Sequence, residues 1–70
     1  MITFELKENS EYIELIKLLK ATSIAYSGAE AKKMVEDGIV SVNNETEHRK
    51  RAKIRNGDKV QLMDKTIIVK

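Results

Sequence analysis

The first third of the chain alternates apolar and polar residues and then becomes densely apolar. Residues 2–6, ITFEL, place an apolar side chain at every second position, which is the period of a half-buried strand. Residues 11–20, EYIELIKLLK, leave only a narrow polar stripe, which predicts a helix that packs against neighbours on two sides. Asn9 and Ser10 precede this segment and offer side chains that cap a helix start. We therefore expect a strand followed by a first helix.

A capping signal marks the start of a second helix. Ser27 is followed three residues later by Glu30, the spacing of a capping box that satisfies backbone N–H groups at a helix start. Gly38 is suited to end this helix, because glycine adopts the left-handed conformation common just beyond a helix. One face of the predicted helix is small or apolar, with Ala31, Met34 and Val35. The opposite face carries Lys32 and Lys33.

Beyond Gly38 the apolar residues recur at every second position, which predicts strands rather than a third helix. Three short runs share this pattern: residues 39–42, 59–63 and 66–69. Residue types that tolerate positive φ mark turns at Asn43-Asn44 and at residues 55–58, RNGD. One strand, two helices and several further strands, in that order, predict a single α+β domain over residues 1–70.

Composition excludes several classes of function. The chain has no cysteine and a single histidine, His48, so thiolate chemistry is absent and a zinc site would need an improbable set of carboxylates. Its three glycines are scattered, which leaves neither a dinucleotide fingerprint nor a Walker loop. No apolar run has the length of a membrane span, and no signal-peptide core follows Met1. We expect a cytoplasmic, monomeric, non-catalytic protein that uses no cofactor, no metal and no membrane.

Charge is distributed unevenly along the chain. Residues 1–47 hold five lysines and nine acids, a balance of −4, whereas residues 48–70 hold eight cations and two acids, a balance of +6. All three arginines lie within residues 49–55, RKRAKIR, and the nearest acids lie outside that stretch at Glu45, Glu47 and Asp58. We call residues 49–55 the basic segment; its cations are Arg49, Lys50, Arg51, Lys53 and Arg55.

The basic segment predicts a surface that binds a polyanion, although such runs are often only solvated loop surface. The planar guanidinium of arginine grips phosphate through two parallel hydrogen bonds, and this residue type occurs nowhere else in the chain. Ile54 is expected to point inward, which would hold the cations on a folded surface. From charge alone the partner is a nucleic acid, a membrane lipid or an acidic protein.

The start of the second helix is another candidate site. Gly28 leaves the helix N-terminus unobstructed for a phosphate, and Lys32 lies one turn further along. Ser27 and Gly28 are equally what an ordinary capped helix start requires. Tyr26 is placed to stack on a base or to cover the core, and we expect core cover, because isolated aromatic residues in small domains mostly pack.

Residues 27–44, SGAEAKKMVEDGIVSVNN, followed by residues 53–62, KIRNGDKVQL, resemble the S4-type RNA-binding domain. The basic segment and the leading ITFEL strand resemble small stand-alone bacterial members of this family, so the likeness spans nearly the whole chain. The resemblance implies two antiparallel helices packed on a small bent antiparallel sheet. It also implies binding of structured RNA, often ribosomal or transfer RNA, mainly through the RNA backbone, and a possible association with the ribosome.

The chain departs from the family pattern at three places. The family often has an arginine after the helix-opening serine, where this chain has Gly28, and a glycine after the turn asparagine, where it has Asn44. The first helix offers Glu11 and Glu14 near its start instead of an arginine. Because arginines of the family pattern are absent here, we expect the RNA contacts to come from the lysines of the second helix and from the basic segment. The predicted RNA-binding residues are Ser27, Gly28, Lys32, Lys33, Arg49, Lys50, Arg51, Lys53 and Arg55.

Two other functions stay open from the sequence. A protein-interaction module or ribosome-assembly adaptor would use the same basic face on an acidic protein partner. An enzyme that modifies RNA would need a separate catalytic domain, because this chain carries no catalytic set of its own.

Overall fold

Two helices and two sheets form the fold in a computed structural model that describes residues 1–70. The strands are β1 (Ile2–Phe4), β2 (Tyr12–Glu14), β3 (Val40–Val42), β4 (Glu45–Thr46), β5 (Lys53–Arg55), β6 (Lys59–Leu62) and β7 (Lys65–Val69). The helices are α1 (Leu15–Ala21), which follows β2, and α2 (Gly28–Glu36), which precedes β3. Neither helix is long and apolar enough to cross a membrane. The predicted α+β class with two helices is confirmed.

The larger sheet has five strands in the order β1-β7-β6-β3-β4, and the smaller sheet is the pair β2-β5. All neighbours are antiparallel except β1 and β7, which run parallel with Ile2 opposite Ile67. The expectation of a purely antiparallel sheet was therefore wrong at this edge. A parallel pair needs a long crossover connection, and both helices lie in the chain between β1 and β7.

The core is a single cluster of thirteen buried residues, all of them hydrophobic. Both helices and both sheets contribute to it: Leu15, Leu18, Leu19, Ala25, Ala31, Val35, Val40, Ala52, Ile54, Val60, Leu62, Ile67 and Val69. No polar or charged side chain is buried, and no buried side-chain nitrogen or oxygen lacks a hydrogen-bond partner. Hydrophobic burial therefore stabilises this small domain without internal polar networks.

The first helix begins later than predicted. Residues 12–14 form strand β2, which pairs with β5 and places Ile13 opposite Ile54. Pairing with a strand distant in sequence holds these residues extended, although their local pattern favours a helix. The helix is thus confined to Leu15–Ala21.

Backbone carbonyls of the basic segment satisfy the start of α1. Glu14 is the N-cap residue and makes no side-chain capping hydrogen bond, so the predicted capping by Asn9 and Ser10 was wrong. The amide of Leu15 instead donates to the carbonyl of Ala52 at 2.9 Å, and the amide of Ile16 donates to the carbonyl of Lys50 at 3.3 Å. The basic segment is therefore attached to the first turn of α1 through its own backbone.

The second helix follows its predicted signals closely. The Ser27 hydroxyl accepts a hydrogen bond from the Glu30 amide at 3.2 Å. The Glu30 carboxylate reaches back to the Tyr26 amide at 3.3 Å, one residue earlier than in the reciprocal form of the capping box. Beyond the helix, Gly38 has a φ of +73°, the left-handed conformation that favours glycine at this position.

The two predicted turns are joined to each other. Asn43 and Asn44 have φ values of 51° and 72°. Positive φ at both residues is what a two-residue hairpin turn of type I′ requires. The Asn43 amide group donates to the Asp58 carboxylate at 3.0 Å, and the same carboxylate accepts from the Arg55 amide at 2.7 Å. Because these bonds connect the β3–β4 turn to the end of β5, they fix the basic segment relative to the larger sheet.

Candidate functional site

Strand alternation holds the basic segment on a folded surface. Ala52 is 6% exposed and Ile54 is 1% exposed, whereas Lys53 and Arg55 on either side of Ile54 are exposed. The predicted inward orientation of Ile54 is confirmed. Because two apolar residues anchor the segment in the core, Lys53 and Arg55 lie on strand β5, and the cations at residues 49–51 lie in the turn that leads into it.

Three of the five cations are paired with acids, two of which come from distant parts of the chain. Lys50 Nζ lies 2.6 Å from the Glu36 carboxylate at the end of α2, and Arg51 Nε lies 4.0 Å from the Glu14 carboxylate. The Arg49 guanidinium forms two parallel hydrogen bonds of 3.1 Å to Glu47. Along the sequence the nearest acids lie beside the segment, so the two partners that folding brings near, Glu36 and Glu14, were not predicted.

Two of these ion pairs, which lie at the surface, shift the pKa values of Glu36, Glu47 and Arg49. The hydrogen bond from Lys50 lowers the pKa of the Glu36 carboxyl group, and the hydrogen bonds from Arg49 lower the pKa of Glu47. In return Glu47 raises the pKa of Arg49. Exposed ion pairs contribute little to stability, because water and salt screen them.

A shallow depression of about 480 Å³ lies between α1, α2 and the basic segment. We call it the basic depression; its lining residues are Ile16, Lys32, His48, Lys50 and Arg51. It unites one predicted lysine of α2 with two predicted cations of the basic segment. Ile16 and His48 also line it and were not among the predicted RNA-binding residues.

The remaining predicted cations lie outside the basic depression. Lys33 is 77% exposed and lies 4.0 Å from Asp37 on the surface of α2. Lys53 and Arg55 belong to the outer face of β5, where both lie over the ring of Tyr12, at 5.0 Å and 5.8 Å from its centre. Neither Lys53 nor Arg55 forms an ion pair. The structure thus divides the basic segment into a paired part and an unpaired part.

The start of α2 also lies outside the basic depression. The Ser27 hydroxyl is occupied by the helix cap, and open space surrounds the α-carbon of Gly28. Tyr26 is 91% exposed, so the prediction that it covers the core was wrong. The neighbouring Ala25, 3% exposed, occupies the buried position at this point of the chain instead.

We expect acid to weaken the fold in part through Glu47. Its pKa is lower in the folded chain than the ordinary 4.5, so its contribution to stability is present above about pH 4.5 and lost as pH falls through the lowered value. Glu36 acts in the same direction. Glu47→Gln should therefore make the free energy of unfolding less sensitive to acid, which urea unfolding at a series of pH values measures.

Glu45→Gln is the matched control, because Glu45 is an exposed acid two residues away and forms no ion pair. Equal losses of stability with falling pH in Glu47→Gln and Glu45→Gln would contradict a contribution of the Arg49–Glu47 pair to acid sensitivity.

Comparison with known proteins identifies relatives over almost the whole chain. The profile described as the S4 domain matches residues 4–70. The chain is 38% identical over 69 residues to YbcJ of Escherichia coli strain K12, a candidate RNA-binding protein, and the match covers 99% of this chain and 97% of YbcJ. YbcJ of Shigella flexneri, named only as an uncharacterised protein, matches with the same identity and coverage.

A solved structure agrees with these sequence matches. The solution structure of YbcJ from E. coli superposes with a TM-score of 0.75 and 38% sequence identity, over 99% of this chain and 86% of that one. That structure is described as revealing an αL motif involved in RNA binding. The helix pair and its attached strands are thus an arrangement that this chain shares with YbcJ.

Proposed function

The chain belongs to the S4 domain family, and from this premise we propose that it binds structured RNA through the phosphate backbone and performs no catalysis. The observation that carries the proposal is the basic depression, in which Lys32, Lys50 and Arg51 converge from α2 and from the basic segment. The naming of YbcJ as a candidate RNA-binding protein supports the same class of ligand.

The ion pairs support an oxyanion as the ligand of the basic depression. Lys50 already holds one carboxylate oxygen of Glu36 at 2.6 Å, so its ammonium group is directed at a place where an anionic oxygen fits. Arg51 is 83% exposed and only loosely paired with Glu14, so it is available to a second oxygen. A phosphate offers several such oxygens and forms short charge-assisted hydrogen bonds with both residue types.

The lining of the basic depression favours recognition of the backbone over recognition of bases. It contains three cations, no tyrosine, phenylalanine or tryptophan, and one imidazole ring, that of His48, as a surface for base stacking. Phosphate contacts fix position and orientation without reading sequence, and RNA duplexes are recognised largely by shape, phosphates and 2′-hydroxyl groups. We therefore propose that the ligand is folded RNA with helical segments, namely ribosomal or transfer RNA in the cytoplasm, either free or within the ribosome. We expect the chain to bind it with low sequence specificity.

The other predicted residues have secondary places in this proposal. Arg49 extends the basic depression along the chain, and Lys53 with Arg55 continues the line of cations along β5. Successive outward residues of a strand are spaced by about 6.6 Å, which is comparable with the separation of adjacent phosphates on one RNA strand. We propose that Ser27, Gly28 and Lys33 contact RNA only at the periphery, because α2 presents them outside the basic depression.

An acidic protein partner is the second candidate, and the carboxylates already seated on the basic segment favour it. Titration of the purified chain with a folded RNA hairpin and with polyglutamate of equal charge distinguishes the two ligands. We expect tighter binding to the hairpin, since phosphate oxygens are presented at fixed spacing. Equal or tighter binding to polyglutamate would favour the protein-interaction function and contradict the RNA proposal.

A further inference from the structure

A second cavity of the chain is a groove separate from the basic depression and larger than it. It has a volume of about 660 Å³ and lies between the residues that follow β1 and strand β2 with the start of α1. We call it the Tyr12 groove; its walls include Phe4, Leu6, Lys7, Asn9, Tyr12 and Lys17. A cavity of this volume is large enough for a small organic ligand such as a nucleotide. We propose that it binds one unpaired nucleotide of the same RNA, an inference that rests on the proposed function.

The aromatic wall of the groove is a half-exposed tyrosine next to two cations. Tyr12 is 39% exposed as a residue, and the register of β2 and β5 places it opposite Arg55, with Ile13 and Ile54 directed to the core. Lys53 and Arg55 lie over this ring and are the two cations of the basic segment without an acid partner. An aromatic surface beside free cations is the combination that binds a base and its phosphate together.

The acids in the groove are compatible with a nucleotide. Glu14 is offset by two cations, since Lys17 lies 3.6 Å and Arg51 lies 4.0 Å from its carboxylate. Glu11 also lines the groove and forms no ion pair. A carboxylate accepts a hydrogen bond from an exocyclic amino group, which adenine and cytosine both carry, so an adenosine is one suitable occupant.

The Tyr12 groove is connected to the basic depression through Arg51. Arg51 lines the basic depression, and its guanidinium pairs with Glu14, which lines the groove. One RNA therefore reaches both sites, with its helical backbone in the basic depression and an adjacent unpaired nucleotide on Tyr12. This continuity favours a nucleotide within structured RNA as the occupant.

The test uses two RNA hairpins that differ only by one unpaired adenosine next to the helix. For fluorescence measurements, 2-aminopurine takes the place of this adenosine as a reporter. We expect the whole chain to bind the bulged hairpin more tightly than the fully paired one. Tyr12→Leu should weaken binding of the bulged hairpin by about 5- to 150-fold and leave the paired hairpin unaffected, because it removes the stacking ring and keeps the cations of the basic depression. Tyr12→Phe should retain the preference, since it keeps the ring.

Tyr26→Leu serves as the matched control, because Tyr26 is the other tyrosine, is 91% exposed and lies outside the groove. If Tyr12→Leu bound both hairpins as the unchanged chain does, the site would be overturned. If Tyr12→Leu fails to fold, the fluorescence of the bulged hairpin with the unchanged chain tests the site instead. Binding should quench the 2-aminopurine emission, and unaltered emission would overturn the site.

The two levels of the proposal fail in different ways. Binding of the paired hairpin through the basic depression without any preference for the bulged one would overturn the nucleotide site and leave the proposed function standing. If the unchanged chain bound neither hairpin, the proposed function and this site would both be overturned.

Discussion

Ile54→Ala is expected to lower the free energy of unfolding by about 2 to 5 kcal/mol. Ile54 is 1% exposed at the centre of β5 and lies opposite Ile13, so the shorter side chain leaves a cavity between the smaller sheet and the core. A chain of 70 residues has a total stability on the order of 4 to 10 kcal/mol, so this change removes a large fraction of it. Urea unfolding of the variant measures the loss.

Ile54→Val is the matched control and should cost only about 0.5 to 1.5 kcal/mol, because it removes a single methylene group. An alanine variant with the same urea midpoint as the unchanged chain would show that Ile54 does not anchor the basic segment in the core.

Replacing Arg49, Lys50 and Arg51 together with glutamine is expected to abolish most RNA binding while the chain stays folded. All three side chains are at least 44% exposed, and their ion pairs lie at the surface, so the cost in stability is small. Each phosphate contact contributes about 0.7 to 0.9 to the slope of log affinity against log salt concentration. The slope should therefore become shallower by roughly 2 to 3 if all three residues contact phosphate.

The control removes equal charge at Lys20, Lys65 and Lys70, which are exposed and line neither the basic depression nor the Tyr12 groove. Long-range attraction predicts the same loss for both triple variants, whereas direct contact predicts a much larger loss for the first. Equal slopes in a salt titration would contradict the assignment of these three cations as the RNA contact.

Local signals determined which parts of the fold were predictable. The Ser27 cap and Gly38 act within a few residues of the chain, and the helix between them forms as expected. The start of α1 was mispredicted because Tyr12–Glu14 pairs with Lys53–Arg55, a partner far away in sequence. A local pattern contains no information on that pairing, and the same reason explains why the parallel edge between β1 and β7 was missed.

In the candidate site, too, local sequence features were predictable and contacts between distant segments were not. Strand alternation around Ile54 predicted which side chains of the basic segment face outward. The pairing of Lys50 with Glu36 and the approach of Lys32 to Arg51 depend on how α2 packs beside the segment, which no local pattern contains. Tyr12 belonged to the misassigned first helix, so its place beside Lys53 and Arg55 became visible only in the fold.

Competition between folded RNA and poly-U for the purified chain tests whether the basic depression recognises the backbone of folded RNA. Both competitors carry the same backbone charge at equal nucleotide concentration, but only folded RNA presents phosphates at fixed spacing to the basic depression. In a gel-shift series we expect ribosomal or transfer RNA to displace a labelled folded hairpin at a much lower concentration than poly-U does. Equal displacement by poly-U would contradict this recognition, since the binding would then be attraction to charge alone.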